Sequence, residues 1–355
     1  MTAARPENVC LTADGEAVQI LDQTCLPNET VYLRLKTLPE LREAICSLRV
    51  RGAPAIGIFA AYAIYVLCRH SGAEDGRALY WFLIRQKAAL ASARPTAVNL
   101  KAMLDRMERA AQACVQQPVD TILHVLRQEA EAIQQEDMAM CRAISEYGLS
   151  LVQEGDGVLT HCNAGALATS CYGTALGPLL LAAERGIRLH AWCDETRPLM
   201  QGARLTSYEL IRAGVDTTLI CDNMASLVMQ KGKIQACFVG CDRLAANGDA
   251  ANKIGTSGVA ILAQHYHIPF YVFCPSSTID LACPTGAQIP IEMRDPEEIY
   301  RMYFEKPMAP AQVNGYNPAF DVTDHAFITG IVTEKGILCP PYTESLAALF
   351  EGGAK

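Results

Sequence analysis

The sequence predicts an α/β protein in which a smaller, mainly helical N-terminal domain (1–128) precedes a Rossmann-like domain with a parallel sheet (129–355). Three observations predict this architecture. Apolar residues occur at helical spacing in the first part of the chain, whereas short β-rich runs alternate with helical stretches from Gly155 onward. Most of these runs recur at roughly the thirty-residue interval of a βαβ unit. Polar side chains follow each run, where ligands bind in open parallel sheets.

The N-terminal domain is predicted to be built on helices. The apolar run AIGIFAAYAIYVLC (55–68) is too short to span a bilayer, and we expect it to form a buried helix. Leu100, Leu104 and Met107 fall at i, i+4 and i+7, which gives one apolar stripe along a helix. The stretch 121–147 is rich in Ala, Glu, Gln and Met, which indicates one long helix or two.

Five strands are predicted in the C-terminal domain. They are GVLT (157–160), IRLHAWC (187–193), VDTTLIC (215–221), ACFVGC (236–241) and IPFYVFC (268–274). The residues that follow them are polar: HCN, DETR, DN, DR and PSST. Because the carboxyl ends of parallel strands meet at one edge of a sheet, these residues predict a single shared crevice.

Composition and charge argue against several classes of protein. The net charge is −8 and no long basic run occurs, so we expect no nucleic-acid partner. The N-terminus, MTAARPENVCLTADGE, lacks the apolar core of a signal peptide. The fifteen cysteines show no C-x-x-C pairs, which argues against zinc and favours a reducing cytoplasm. Because the longest apolar run is too short to span a bilayer, we expect no membrane attachment. Since neither a P-loop nor a G-x-G-x-x-G motif is present, no nucleotide cofactor is expected.

Three motifs offer groups for an anionic ligand. In RGAPAIG, Arg51 precedes an apolar helix, so its guanidinium and the helix N–H groups suit a phosphate, although the motif could also be a simple turn. Arg94 stands before a helix that Thr96 could cap, and a solvated arginine is the alternative. Asn252 and Lys253 precede GTSG, where a helix is expected to begin; they could bind a sugar hydroxyl and an anion, or form a surface pair.

A thiol and a carboxyl group are the candidates for acid/base chemistry. Cys162 follows a predicted strand, where a nearby cation or helix N-terminus would favour its thiolate, whereas most cysteines are inert core residues. Asp242 follows an apolar strand, so we expect a poorly hydrated pocket that raises its pKa and suits a general acid. Capping of a following helix is the alternative for Asp242. Asp194, Glu195 and Asp222 are rivals for the acid role.

The segment DETRPLMQGARLTSYEL is the densest polar stretch after a predicted strand. Thr206 and Glu209 have the spacing of a capping box. Arg197 and Arg204 are interpreted as ion-paired residues that brace the loop. Together with the candidates above, this segment indicates acid/base chemistry on a small phosphorylated molecule, without fixing the reaction.

Seven motifs in order carry a family resemblance. They are RGAPAIG, ARPTAVNL, HCNAGALAT, DETRPLMQGARLT, CDNMAS, GCDRLAANGDAANKIGT and GYNPAFDVT. Across nearly the whole chain they resemble the methylthioribose-1-phosphate isomerases, a family related to subunits of a translation-initiation nucleotide exchange factor. The resemblance implies an aldose–ketose isomerase of methionine salvage, hence methionine biosynthesis. It also implies a homodimer with no metal and no organic cofactor.

The resemblance also implies roles for individual residues. The family's catalytic thiol falls on Cys162 and its catalytic acid on Asp242. The substrate-binding positions fall on Arg51, Gly52, Ala53, Arg94, Gln201, Asn252 and Lys253. This chain departs from the family at Cys241, which replaces an alanine beside the acid, and at Met293, which replaces a glutamate.

Other functions remain open on the sequence. An isomerase of 5-deoxyribose 1-phosphate would carry the same motifs. A ribose 1,5-bisphosphate isomerase would need further cations for its second phosphate. A non-catalytic regulatory subunit that binds sugar phosphates or nucleotides would have no need for both Cys162 and Asp242. For the isomerase, proton transfer at C2 and a hydride shift from C2 to C1 are the competing routes.

Overall fold

The computed structural model describes residues 8–95 and 97–351, which form two compact units. The N-terminal unit comprises the described residues up to 139, and Ala166–Cys171 also belong to it. The C-terminal unit comprises 140–165 and 172–351. The division at 139/140 differs from the predicted domain boundary at 128/129. Thr96, the predicted helix cap, lies outside the described residues, as does most of the segment examined for a signal peptide.

The N-terminal unit consists of a small sheet and a set of helices. Its antiparallel sheet contains β1 (Val9–Leu11), β2 (Val18–Leu21) and β3 (Tyr32–Leu35), in that order. The helices are α1 (Leu38–Cys46), α2 (Ala53–Arg69), α3 (Gly76–Ala91), α4 (Val98–Ala113) and α5 (Val119–Leu149), and the division between the units falls within α5. The sequence did not predict the sheet, because strands of three or four residues are too short to show a clear alternation of apolar and polar residues.

Helix α2 is the centre of the N-terminal core, as the apolar run predicts. Every residue from Ala55 to Cys68 is buried. The helix begins with Pro54 in its first turn, where a missing N–H is tolerated, and Arg69 lies in its last turn. Gly57 permits close packing of α4, because a Cβ at this position would lie 2.9 Å from Cγ of Met103.

Two further helix predictions are confirmed. Leu100, Leu104 and Met107 are all buried on one side of α4. The 121–147 stretch belongs to one helix, α5, and not to two. Within the described ranges, no helix combines the length and the apolarity that crossing a membrane requires.

The C-terminal unit is built on a seven-stranded sheet. Its strands are β4 (Gly157–His161), β5 (His190–Asp194), β6 (Asp216–Ile220), β7 (Ala236–Val239), β10 (Phe270–Phe273), β13 (Gly330–Thr333) and β14 (Gly336–Leu338). The spatial order is β14-β13-β10-β7-β4-β5-β6, and all neighbouring pairs are parallel except β13–β14. The five predicted strands are therefore confirmed. The chain order reverses between β4 and β7, where a doubly wound sheet opens a ligand crevice.

A second, smaller sheet and six helices complete this unit. The sheet has the order β11-β8-β9-β12, from β8 (Arg243–Ala245), β9 (Ala250–Lys253), β11 (Ile279–Asp280) and β12 (Phe320–Thr323). The helices are α6 (Gly177–Glu184), α7 (Ser207–Arg212), α8 (Ala225–Gln230), α9 (Thr256–His265), α10 (Glu297–Tyr300) and α11 (Tyr342–Glu351).

The buried carboxylate of Asp22 predicts how the stability of the N-terminal unit depends on pH. Burial alone would raise its pKa, but the hydroxyl and amide of Thr24 and the guanidinium of Arg49 hold the pKa below its ordinary value of 3.8. A depressed folded-state pKa contributes stability above the unfolded-state pKa, and this stability is lost as the pH falls through the folded-state pKa. Asp22→Asn should therefore be less stable than the parent at neutral pH, with a difference that shrinks below about pH 4.

Urea unfolding of both proteins between neutral and acid pH measures this difference. Asp105→Asn is the control, because it removes a carboxylate that is only partly buried. We expect it to change the free energy of unfolding by less than about 1 kcal/mol. A difference between Asp22→Asn and the parent that stays constant with pH would contradict the assignment.

Candidate active site

The candidate thiol lies directly after the central strand β4. His161, the last residue of β4, is in register with Val239 at the end of β7. Cys162 then turns the chain with a φ of 69°, which side-chain-bearing residues rarely adopt. It is half-buried, so it is not one of the fully buried core cysteines. Unfavourable backbone geometry of this kind is found most often at functional sites.

His161 links the end of β4 to two neighbouring segments. Its Nδ1 lies 3.0 Å from Oδ2 of Asp194, and its Nε2 lies 2.8 Å from the carbonyl oxygen of Ile254. Burial opposes a charge on this ring, but hydrogen bonding to Asp194 raises its pKa overall. Asp194 is fully buried in this pair, and burial raises the pKa of its carboxyl group despite the neighbouring His161.

Residues Asn163, Thr206 and Glu209 form a buried cluster on the other side of Cys162. Nδ2 of Asn163 donates to Oε1 of Glu209 at 2.7 Å and to the Thr206 hydroxyl at 3.2 Å. The predicted capping box is therefore wrong. Thr206 has helical backbone angles at the end of a π-helical turn, Gly202–Thr206, and its side chain caps no helix.

The loop after β5 is held by a carboxylate and two arginines. The two carboxylate oxygens of Asp222 accept the backbone N–H groups of Thr196 (2.7 Å) and Arg197 (2.8 Å). The Arg197 side chain donates to the carbonyl of Ile299 and lies over the ring of Phe304. These contacts give Asp222 and Arg197 bracing roles.

Arg204 braces the same loop from its other end. Nη1 of Arg204 donates to the hydroxyl of Tyr303 at 2.8 Å, and its guanidinium lies over the Tyr303 ring. Tyr303 in turn donates to the carbonyl of Leu199 at 3.3 Å. The bracing role predicted for Arg197 and Arg204 thus involves carbonyl, hydroxyl and aromatic contacts.

Asp242 follows β7, but it does not lie in the poorly hydrated pocket that the sequence predicted. Its side chain is exposed. Two residues separate it from Val239, the end of β7, and its N–H donates to the carbonyl of Ala251 on β9. The chain has therefore left the apolar strand before the carboxyl group is reached. The capping alternative is also wrong, because Asp242 precedes strand β8 and not a helix.

Gln201 is buried beside the π-helical turn, with only 5% of its surface exposed. Its Oε1 atom is buried and has no hydrogen-bond partner among the residues that the structure describes. Buried polar atoms are nearly always hydrogen-bonded, so an orphaned amide oxygen is well suited to accept from a ligand hydroxyl.

Asn252 and Lys253 lie at the end of β9, and both are buried, so the surface-pair alternative is wrong. Nδ2 of Asn252 donates to the hydroxyl of Thr256 at 3.0 Å. Nζ of Lys253 donates to the carbonyl of Ala319 at 2.9 Å and lies over the ring of Phe320. The helix predicted to begin at GTSG is confirmed as α9, which starts at Thr256.

The start of α9 already holds an anion that belongs to the protein. The carboxylate of Asp321 accepts the N–H of Gly255 at 2.7 Å, the N–H of Ser257 at 3.1 Å and the Ser257 hydroxyl at 2.9 Å. These are the donors that a helix N-terminus would otherwise offer to a phosphate.

The other four predicted site residues belong to the N-terminal unit. Arg51, Gly52 and Ala53 lie at the start of α2, and Arg94 lies in the loop between α3 and α4; all four are half-buried. Gly52 has a φ of 90°, and a Cβ there would lie 2.5 Å from Cα of Ala168. Only glycine fits this position. The remaining five, Cys162, Gln201, Asp242, Asn252 and Lys253, belong to the C-terminal unit.

Two groups of side chains have the donor types of a metal site, with ligand atoms within 4.8 Å of one another. In each group, one aspartate already accepts hydrogen bonds from protein N–H groups. Asp222 accepts two backbone N–H groups, and Asp249 accepts from Asn247, Gly286 and His325. The groups are His161–Asp194–Asp222 and Asp249–Asp324–His325.

Sequence reasoning missed the residues that hold the thiol in place. His161 and Asn163 flank Cys162 in HCNAG, so their adjacency was the available signal. Thr196 and Thr206 gave no such signal, because their contacts with Cys162 join segments far apart in the chain.

Comparison with known proteins identifies the family. A sequence model of the Initiation factor 2 subunit family matches residues 49–340. The chain belongs to this family. It is 61% identical over 97% of its length to the methylthioribose-1-phosphate isomerase of Symbiobacterium thermophilum, of which 96% is covered. It is 54% identical over 94% of its length to the 5-deoxyribose 1-phosphate isomerase of Petrotoga mobilis, of which 95% is covered.

A family member of known structure has the same mixed α/β fold. The crystal structure of 5-methylthioribose 1-phosphate isomerase from Pyrococcus horikoshii superimposes with a TM-score of 0.94 at 39% identity. The match covers 99% of this chain and 98% of the other. Helices and a sheet with parallel strands are thus common to both proteins.

Proposed function

We propose that this chain isomerises 5-methylthio-D-ribose 1-phosphate to 5-methylthio-D-ribulose 1-phosphate, an aldose–ketose step of methionine salvage. The observation that carries the proposal is the position of Cys162 and Asp242 after the adjoining strands β4 and β7, where the chain order reverses. A thiol and a carboxyl group at this edge provide the two proton-transfer groups that such a reaction needs. The 61% identity to a methylthioribose-1-phosphate isomerase supports the same reaction.

In the proposed mechanism, Asp242 donates a proton to the ring oxygen as the bond from that oxygen to C1 breaks. Cys162 removes the proton from C2, which leaves an enediol-type phosphoenolate. Protonation at C1 and loss of the C2 hydroxyl proton then give the ketose. To act as the general acid, Asp242 must carry its proton when the substrate is bound.

The substrate phosphate is proposed to bind the helical N-terminal domain through Arg51, the backbone of Gly52 and Ala53, and Arg94. Guanidinium groups and helix N–H groups are the usual phosphate donors. In the Rossmann-like domain, we assign Gln201 and Asn252 to the sugar hydroxyls and Lys253 to the developing negative charge. The orphaned Oε1 of Gln201 supports the first of these assignments.

Three further features belong to the proposal. The order β6-β5-β4-β7-β10-β13 supports a Rossmann-like catalytic domain. Exposed apolar side chains between Ile211 and Leu227, at the sheet edge formed by β6, support a homodimer; light scattering that gave the mass of one chain would contradict it. The scattered spacing of the fifteen cysteines, without C-x-x-C pairs, supports a cytoplasmic location.

Cys162→Ser tests the proposed function. We expect the parent to convert the methylthio substrate, and the variant to lose about 10²–10⁴-fold in turnover, the usual contribution of a placed proton-transfer group. Cys114→Ser, which changes a half-buried cysteine at the end of α4, is the control and should match the parent. Product formation followed by phosphorus NMR measures both rates. A Cys162→Ser variant as fast as the parent would remove the thiol from the mechanism.

Solvent deuterium distinguishes the two routes for the hydrogen at C2. Proton transfer brings deuterium from the solvent into C1 of the product, whereas a hydride shift retains the original hydrogen completely. The same assay with 5-deoxyribose 1-phosphate tests the second candidate substrate, which the name of the Petrotoga relative favours. If neither phosphate is converted, the result would favour a non-catalytic protein that binds sugar phosphates or nucleotides.

A further inference from the structure

Both backbone polar groups of Cys162 are bound by threonine hydroxyls. The N–H of Cys162 donates to Oγ1 of Thr196 at 2.9 Å. The hydroxyl of Thr206 donates to the carbonyl of Cys162 at 2.6 Å. These two side chains replace the backbone partners that the strand ladder would otherwise supply, just where the chain leaves β4.

The left-handed backbone of Cys162 needs such support. For a residue with a Cβ atom this conformation costs roughly 1–2 kcal/mol. Thr196, which accepts from Cys162, is itself at a φ of 63°, and the carboxylate of Asp222 binds its N–H. The unfavourable conformation at Cys162 is therefore stabilised by a group that is itself fixed by a hydrogen bond.

The direction of each hydroxyl proton is set by a neighbouring group. Asn163 donates to Oγ1 of Thr206, so the single Thr206 proton is left for the carbonyl of Cys162. The hydroxyl of Thr196 donates to the carbonyl of Asp194 at 3.1 Å, which leaves a lone pair for the N–H of Cys162. Thr196 therefore accepts a hydrogen bond from Cys162, and Thr206 donates one to it.

Both threonines are closed off from solvent, with a relative exposure of 0% each. Water is therefore unable to replace a hydroxyl that is removed by substitution. Without the Thr206 hydroxyl, the carbonyl of Cys162 loses a partner and the orientation of the turn is no longer determined.

We propose that Thr196 and Thr206 are positioning residues of the isomerase reaction, which fix the Cys162 turn and thereby aim its thiol at C2 of the substrate. The inference rests on the role proposed above for Cys162. The two threonines do not touch the reacting atoms; they act through the backbone of the residue that does. A thiol displaced by about 1 Å loses on the order of 10²-fold in rate.

Removal and restoration of the Thr206 hydroxyl tests the inference. We expect Thr206→Val to lower kcat about 10²-fold with little change in KM, because the substrate-binding groups are untouched. Thr206→Ser keeps the hydroxyl and should recover most of the loss. Thr218→Val, which removes a hydroxyl bonded to His190 on the same sheet, is the matched control and should keep the parent kcat.

A double variant separates positioning from a general loss of structure. If Thr206 acts through Cys162, then Thr206→Val combined with Cys162→Ser should be no slower than Cys162→Ser alone. The rate at which iodoacetamide alkylates Cys162, measured by peptide mass spectrometry, should change in Thr206→Val and return in Thr206→Ser. If Thr206→Val does not fold, Thr196→Val and Thr196→Ser are compared instead. They remove and keep the Thr196 hydroxyl, respectively.

The outcomes distinguish this inference from the proposed function. Full activity of Thr206→Val, an equal loss in Thr206→Ser, or multiplicative losses in the double variant would overturn the positioning role. Full activity of Cys162→Ser would instead overturn the proposed role of the thiol. An inactive Cys162→Ser beside a fully active Thr206→Val would remove the positioning role and leave the proposed function intact.

Discussion

Asp242→Asn is expected to slow isomerisation by about 10²–10⁴-fold, because the amide is unable to give a proton to the ring oxygen as the sugar opens. Substrate binding should be largely kept, since asparagine is nearly the same shape and Asp242 is exposed before substrate binds. The loss should therefore appear in kcat and in kcat/KM to a similar extent. Steady-state kinetics with the preferred phosphate measures it.

The pH profile gives an independent readout for Asp242. If the carboxyl acts as an acid in the substrate complex, kcat of the parent falls as the pH rises through the ionisation of that group, and the asparagine variant lacks this decrease. Asp216→Asn changes an exposed carboxylate at the start of β6 and should leave both rate and profile unchanged. If the asparagine variant keeps both the rate of the parent and its decrease at high pH, another group is the acid.

Gly202→Ala is expected to produce the largest loss of stability. A Cβ at this position would lie 1.7 Å from the carbonyl oxygen of Asp194 and 2.9 Å from Oγ1 of Thr196. Neither neighbour is a flexible side-chain end, so the turn or the end of β5 must shift, at a cost of about 3 kcal/mol, the upper end of the usual range for overpacking. The same shift would displace Gln201 and the Thr196 contact with Cys162, so turnover should fall as well.

Chemical denaturation and turnover are the two measurements for Gly202→Ala. Gly258→Ala, in the interior of α9, is the matched control, because a Cβ there meets no atom within 4 Å. It should stabilise the protein by about 0.5–1 kcal/mol through helix propensity. Equal stability of the two variants would show that the crowding at Gly202 is relieved without strain.

The strands and buried helices were predictable because the residue pattern within each segment is sufficient to indicate its secondary structure. The runs that became β4, β5, β6, β7 and β10 are short and apolar, and α2 is buried along nearly its whole length. The apolar residues of each segment therefore indicate that the segment is buried. The carboxyl-end rule then placed Cys162 and Asp242 correctly after their strands, without any knowledge of the tertiary contacts.

The errors arose where a distant residue determines what a side chain does. Thr206 has the spacing of a capping residue, but the carbonyl of Cys162, far away in the chain, takes its hydroxyl. Asp242 follows an apolar strand, but its exposure depends on how the chain turns into β8 and β9. Local patterns contain no information about such partners, and these are the positions where local and tertiary preferences conflict.

The Asp321 carboxylate at the start of α9 has a consequence for ligand selectivity. A second phosphate arriving there would meet a like charge that already occupies the N–H donors of Gly255 and Ser257. The helix therefore repels an additional anion where a neutral residue at 321 would leave its N-terminus attractive. A single side chain thus makes the N-terminus of α9 unavailable to an anionic ligand.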